Sequence, residues 1–140
     1  MDALVELLAR YGWTPEDVAT AVHDRFYCVY CGVRFLDGIE AFRAFRCDHI
    51  LPPEKYPELS ATDSGNMASA CETCVYLMNS WDPNTGDGQP LYRGGESLPD
   101  ELRKQLIERA IFFMQQRRSE FQLEMIEMWR AFFSAERSTR

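Results

Sequence analysis

Apolar side chains at helical intervals predict two helices before residue 27. In the first, the apolar stripe is Leu4, Leu7 and Leu8. The second has a strong start signal, because Thr14 can cap a helix and Pro15 fits its first position. Its stripe is Val18, Val22 and Phe26. We expect both helices to pack as a cap against the rest of the chain.

The same periodicity predicts one long helix from residue 97 to about residue 135, with a possible break near residues 115–119. Its apolar positions include Leu102, Leu106, Ala110, Phe113, Phe121, Met125, Met128, Trp129 and Phe132. About 38 residues at 1.5 Å each would span roughly 57 Å, which exceeds the width of a domain of this size. We therefore expect part of the helix to project or fold back. Its broad apolar surface is a candidate interface for a homodimer or a protein partner.

The middle of the chain has shorter patterns. Residues 27–35 fit a strand or a knuckle, and residues 42–48 alternate partly and predict a second strand. Residues 66–80 have a helical pattern. Loops rich in glycine, proline and small polar residues are predicted at 54–65 and 82–95.

Two C-x-x-C pairs fall within these shorter elements. The pairs are Cys28 with Cys31 and Cys71 with Cys74. Two thiolates from each pair can converge on one ion, and four complete a tetrahedron, so the spacing predicts a structural zinc site. The alternative is a chance set of buried thiols. Cys47, between the pairs, is expected to be a small core residue.

Asp48 and His49 are the candidates for reactivity. A carboxylate can bind a hard divalent cation through oxygen, and a neighbouring imidazole can take a proton from water. Because adjacent residues of a strand point to opposite faces, a turn or bulge is needed to bring both side chains to one cleft. Taken alone, the dipeptide is a weak signal, and a structural histidine is the better interpretation.

Charge and targeting signals narrow the possible functions. The chain has 15 basic and 22 acidic residues, for a formal net charge of −7, which argues against a general nucleic-acid coat protein. Any nucleic-acid contact must then come from a local patch, for which Arg34, Arg43, Arg46 and Lys55 are candidates. The start of the chain has no export signal, and its apolar runs are shorter than the ~18 residues of a membrane span. We expect a cytoplasmic protein with reduced cysteines and no membrane association.

The order C-x-x-C, Asp48-His49-Ile50-Leu51-Pro52, Asn66-Met67, C-x-x-C resembles the zinc-bearing branch of the HNH endonucleases, which have a ββα-metal fold. The resemblance covers about residues 27–83. It implies that Asp48 holds Mg²⁺ or another catalytic divalent cation and that His49 is the general base. It also implies that Asn66 ties the loop to the strand, that the four cysteines of the pairs hold structural zinc, and that the substrate is nucleic acid, most simply DNA.

The sequence departs from that family in one respect. The asparagine or histidine that usually follows the last cysteine is Val75 here, and valine cannot bind a metal. Asn79 lies four residues later and so shares the same helical face, about 6 Å along the axis. It can serve as the replacement ligand, or it can be a helix C-cap. Trp81 can stack on a base or close a small core.

Together these patterns predict an α+β chain, mostly helical, that folds as one compact domain. We expect an N-terminal helical cap at 1–26, an HNH ββα-metal zinc core at 27–83, a loop at 84–96 and a long C-terminal helix at 97–140. The function expected is a metal-dependent endonuclease. The alternatives are a catalytically degenerate zinc module, acting as a binding or regulatory subunit, and a defence effector delivered by a partner.

Overall fold

The computed structural model describes residues 2–86 and 88–139, which form an α+β fold. The helices are α1 Asp2–Ala9, α2 Pro15–His23, α3 Ile39–Arg43, α4 Glu72–Met78 and α5 Asp100–Ser138. The strands are β1 Phe45–His49 and β2 Met67–Cys71. The predicted α+β class is confirmed. About half of the chain is helical, which is less than the expected mostly helical content.

The start of α2 follows from its sequence. The Thr14 side chain accepts a hydrogen bond from the Asp17 amide at 3.1 Å, and Asp17 accepts one from the Thr14 amide at 2.8 Å. This reciprocal capping satisfies two amides that have no partner inside the helix. Pro15 occupies the first turn, as predicted.

The two strands form an antiparallel pair whose register runs from Phe45 opposite Cys71 to His49 opposite Met67. This arrangement corrects two predictions. The helix expected over residues 66–80 begins only at Glu72, because the preceding five residues pair with β1 instead. The strand expected over 42–48 begins at Phe45, after the short helix α3.

The buried side chains form two groups. The first is built around Trp13, which stacks on Phe45 with ring centroids 4.0 Å apart, and it includes the sulfur-bearing end of β2. The second contains Ile50, Leu51, Leu59, Ala68, Tyr92, Leu98 and Leu106. The helix α5 contributes to both, so it joins the two groups.

Helix α5 is continuous, and no break occurs near residues 115–119. Its first half packs on the body, with Leu106, Ala110 and Met114 buried. After Phe121, which contacts Tyr76 edge-on, most of the side chains are exposed. Thirty-nine residues span about 58 Å. Among the residues that the structure describes, no helix combines the length and the apolar character that a bilayer crossing requires.

Candidate functional site

The four cysteines of the C-x-x-C pairs converge on one point. The Sγ atoms of Cys28, Cys31, Cys71 and Cys74 all lie within 4.8 Å of one another. A zinc ion about 2.3 Å from each of four tetrahedral sulfurs would set the sulfurs about 3.8 Å apart. The Cys31 and Cys71 sulfurs are 3.7 Å apart, so the cluster fits such an ion.

Local backbone structure brings these sulfurs together. The first pair lies on a knuckle in which the Cys28 amide donates to Val33 and the Gly32 amide donates to Cys28, both at 2.9 Å. Gly32 has a φ of 79°, a conformation that glycine adopts at little cost. Cys71 ends β2, and Cys74 lies in the first turn of α4. A strand on one side and a helix start on the other therefore close the second pair.

Main-chain amides also point at the sulfurs. The Cys71 amide donates to the Cys28 sulfur at 3.3 Å, and the Cys74 amide donates to the Cys71 sulfur at 3.4 Å. Such bonds favour the thiolate form. Cys47 lies outside the cluster, as expected, and its sulfur donates to the Thr20 hydroxyl at 3.4 Å.

Contacts within the cluster shift the pKa values of the four thiols in different directions. Hydrogen bonds from Cys28, Cys71 and Cys74 hold the pKa of the Cys31 thiol well below its usual range. The pKa of the Cys74 thiol is raised by its contacts with Cys28, Cys31 and Cys71, and by burial. Four thiols this close cannot all ionise without a cation among them. The cluster is therefore a possible metal site, compatible with structural zinc.

Sequence reasoning missed one contact of this cluster. Arg118, on α5, places its Nη2 3.6 Å from the Cys74 sulfur. The guanidinium offsets part of the negative charge that four thiolates would carry. No local pattern marks this residue, because the contact spans 44 positions of the chain.

A separate cleft of about 260 Å³ lies where β1, α4 and the loop after β1 meet. Its lining includes Asp48 and His49 from β1, and Val75 and Asn79 from α4. His49 is the last residue of β1, so the chain turns directly after it. This turn explains how two consecutive residues both border one cleft.

The two candidate reactive side chains differ in how they are held. His49 places its Nε2 3.3 Å from the Ala61 carbonyl oxygen, so a main-chain acceptor can fix the orientation of the ring. Asp48 is half-buried beside it. Burial raises the pKa of the Asp48 carboxyl, while a main-chain hydrogen bond and the charge of His49 act in the opposite direction.

Asn66 is fully buried and joins two segments that border the site. Its side-chain oxygen accepts from the Leu51 amide, and its side-chain nitrogen donates to the Leu51 carbonyl, both at 2.8 Å. The Asn66 carbonyl also accepts from the Ile50 amide at 2.9 Å. These bonds fasten the loop after β1 to the segment that leads into β2. Asn66 thus shapes the cleft without lining it.

Asn79 is the C-cap of α4, which is one of the two possibilities left open for it. It caps α4 in a left-handed conformation, with a φ of 36°, and its amide donates to the Val75 carbonyl at 3.2 Å. Asparagine tolerates this conformation better than most residues. It also lines the cleft, beside Val75. The cap role is therefore present at a residue that borders the same cleft as Asp48.

The basic residues expected near the site lie elsewhere or are engaged. Arg43 and Arg46 line a different groove of about 540 Å³, together with Tyr11 and Trp13. Arg46 also pairs with Glu72 at 3.3 Å, and Arg34 pairs with Asp37 at 3.3 Å. Lys55 pairs with Asp82 at 2.7 Å. Trp81 stacks on Phe113 of α5 with ring centroids 4.2 Å apart, so it closes the core while bordering the cleft.

Comparison with known proteins finds no family model, no curated protein and no solved structure that matches this chain.

Proposed function

We propose that this protein is a metal-dependent endonuclease that hydrolyses phosphodiester bonds in nucleic acid, with DNA as the expected substrate. In this proposal the cysteine cluster holds a structural zinc ion, and the cleft beside it is the active site. The resemblance of residues 27–83 to the HNH endonucleases motivates the proposal. The arrangement of the cleft supports it.

One observation carries the proposal. A carboxylate, an imidazole and an amide, from Asp48, His49 and Asn79, border the same cleft although they come from two different elements. One nitrogen of the imidazole contacts a main-chain carbonyl, which leaves the other nitrogen free. A general base needs such a free nitrogen in order to accept a proton. Asn66 fastens the loop after β1, whose residues 50, 52 and 53 also line this cleft.

The charge of the cleft indicates what a phosphodiester would need in order to enter. Among the described residues that line it, Asp48 and Glu54 are acidic and none is lysine or arginine. A phosphate would be repelled unless a divalent cation neutralised these carboxylates. Carboxylate and amide oxygens are hard ligands that suit Mg²⁺, so Asp48 and Asn79 fit such an ion. When bound, the cation would supply charge stabilisation at the phosphate and at the leaving oxygen.

The protein's own residues supply the remaining roles. His49 takes a proton from the attacking water, and the Ala61 carbonyl keeps its ring in one orientation. The cysteine cluster fixes the first turn of α4, which sets the position of Asn79 at the other end of that helix. The groove that Arg43 and Arg46 line is the candidate for contacts with the phosphate backbone of the nucleic acid outside the cleft.

Plasmid nicking in Mg²⁺, Mn²⁺ or Ni²⁺ tests the proposal with two variants. His49→Ala removes the base, and cleavage should fall at least about 100-fold. Asn79→Gly removes the amide but suits the left-handed backbone, so it separates the ligand role from the cap role. A loss of cleavage with unchanged thermal stability in Asn79→Gly would assign Asn79 as a ligand.

His23→Ala is the matched control, because His23 is the other histidine of the chain and lies outside the cleft lining. It should retain full cleavage. If wild-type protein that contains one zinc ion per chain cleaves neither plasmid nor single-stranded substrates with any of the three metals, the endonuclease proposal is wrong.

A second function is favoured by Val75. This residue borders the cleft at the position where the HNH family usually has a metal-binding side chain. If Asn79 does not replace that ligand, the cleft is catalytically degenerate. The protein would then be a zinc-bearing binding or regulatory module, a role that includes a partner-delivered effector. Nucleic-acid binding in an electrophoretic mobility-shift measurement, together with no cleavage in the nicking assay, would support this function.

A further inference from the structure

The outer half of α5 carries a large apolar face that nothing in the described chain covers. Six large apolar side chains between residues 125 and 133 are each 46% to 57% exposed. They are Met125, Ile126, Met128, Trp129, Phe132 and Phe133. Trp129 and Phe133 stack with centroids 5.4 Å apart, so part of this face is already ordered in the single chain. Exposed apolar patches of this kind mark interaction sites.

The spacing of the central residues is symmetric along the helix. Met125, Met128, Trp129 and Phe132 line one shallow apolar groove of about 430 Å³. Their intervals along the chain are three, one and three, which read the same in both directions. A two-fold axis between Met128 and Trp129 would place Met125 of one copy against Phe132 of the second. A self-complementary patch is what a two-fold interface requires.

The part of α5 that extends beyond the body of the molecule has a length that is compatible with a two-fold axis at this position. Phe121 makes ring contact with Tyr76, and Arg118 contacts Cys74, so the body of the molecule reaches about this point of α5. With the axis between Met128 and Trp129, Ser138 at the end of one helix faces Ser119 of the other. Two antiparallel helices would therefore overlap along their whole free length, and each tip would stop where the other body begins.

The exposed apolar area and the charge of this part of α5 favour a second copy of the chain over a membrane surface as the partner of the apolar face. Because a large apolar side chain offers about 150–250 Å², six half-exposed ones present about 600 Å² per copy. Two copies would bury about 1,200 Å², the lower limit for a specific protein interface. Residues 119–138 carry four glutamates and two arginines, a balance that opposes binding to an anionic membrane surface.

We infer that the outer half of α5 is a homodimerisation surface, in which two copies pair antiparallel about an axis between Met128 and Trp129. This inference is independent of the proposed endonuclease activity. An interface of this size lies at the low end of the range, where weak and reversible association is common, and we expect monomer and dimer to exchange at micromolar concentrations.

Light scattering coupled to size-exclusion chromatography, from about 1 to about 100 µM, tests the inference. The mass should rise from 16.3 kDa for one chain to twice that value. Trp129→Glu should weaken the association at least about 100-fold, because it buries a charge at the axis. Ser134→Glu is the matched control, since it introduces the same residue at an exposed position of α5 that lies about 140° around the helix from Trp129. It should leave the association within a few-fold of wild type.

A photo-crosslinking benzoylphenylalanine at Phe132 tests the direction of pairing. The antiparallel arrangement predicts crosslinks to the second copy near Met125. Crosslinks near residue 132 of the second copy would overturn it. A chain that stays monomeric at the highest concentration, a trimer or tetramer, equal effects of the two glutamate variants, or binding of a monomer to anionic vesicles would each overturn the inference.

Discussion

The cysteine cluster and the neighbouring cleft differ in the chemistry of their side chains and in whether they are open to a substrate. In the cluster, four sulfurs of one kind surround a single point, and no position is left open to a substrate. In the cleft, three groups of different chemistry, from Asp48, His49 and Asn79, border an open space. A closed set of identical donors suits a structural ion, and an open set of different donors suits a reaction.

The two regions also differ in what holds their side chains. The sulfurs are positioned by one another and by main-chain amides within the cluster. The cleft residues are positioned by groups that do not line the cleft or by the backbone. The Ala61 carbonyl contacts the His49 ring, and the end of α4 sets the position of Asn79. We therefore expect damage to the cluster to remove the fold, and damage around the cleft to change its shape while the fold persists.

The largest effect should come from breaking the cluster with Cys74→Ser. Structural zinc contributes about 10–16 kcal/mol in small zinc domains, which exceeds the whole stability of a typical domain. We expect this variant to lose its zinc, as measured by metal analysis. It should also lose most of its cooperative thermal unfolding transition, as measured by circular dichroism.

Cys47→Ser is the control for that experiment, because the Cys47 sulfur lies outside the cluster and contacts Thr20. It should keep one zinc ion and cost about 1 kcal/mol or less. Equal thermal stability of the wild-type protein with and without a strong chelator would contradict the structural role of the ion.

The contrast between the regions also explains what the sequence could predict. The cluster was predictable because two short C-x-x-C pairs constrain the geometry locally, and the start of α2 was predictable because Thr14 and Pro15 act within one turn. Strand β2 was not, since its sequence Met-Ala-Ser-Ala-Cys has no β-branched residue and becomes a strand only through pairing with β1. Arg118 and the Ala61 carbonyl were missed because tertiary packing brings them to their partners.

A smaller effect is expected at the wall of the cleft. Asn66→Ala removes both hydrogen bonds to Leu51 and leaves a buried amide and a buried carbonyl without partners, which should cost about 3 kcal/mol of unfolding free energy in urea. Zinc content should be unchanged, because the cluster does not depend on these bonds.

Ser69→Ala provides the comparison for Asn66. Ser69 is also fully buried, but its hydroxyl has no hydrogen-bond partner among the described residues. Its removal should change stability by less than about 1 kcal/mol. If the two variants were equally destabilised, the anchoring of the loop by Asn66 would not be the cause.

The smallest effect concerns Lys55, which Asp82 holds at the edge of the cleft region. Burial alone would raise the pKa of the Asp82 carboxyl, but hydrogen bonds from Lys55, Tyr56, Thr85 and the Asn84 amide lower it overall. A carboxyl whose pKa is lower in the folded protein contributes stability that is fully present above its ordinary value, near 3.8, and is lost as the pH falls through the folded value.

The coupling between Lys55 and Asp82 should therefore be small because Lys55 is exposed to solvent, and it should be the same at pH 6 and pH 8, since both lie above that window. A double-mutant cycle of Lys55→Met and Asp82→Asn, with unfolding free energies measured at both pH values, isolates this coupling. Lys55→Met should also leave plasmid cleavage within about two-fold of wild type, because Lys55 serves Asp82 and not the substrate. A large loss of cleavage in this variant would instead make Lys55 part of the substrate-binding surface, and the cleft would then have a cation of its own.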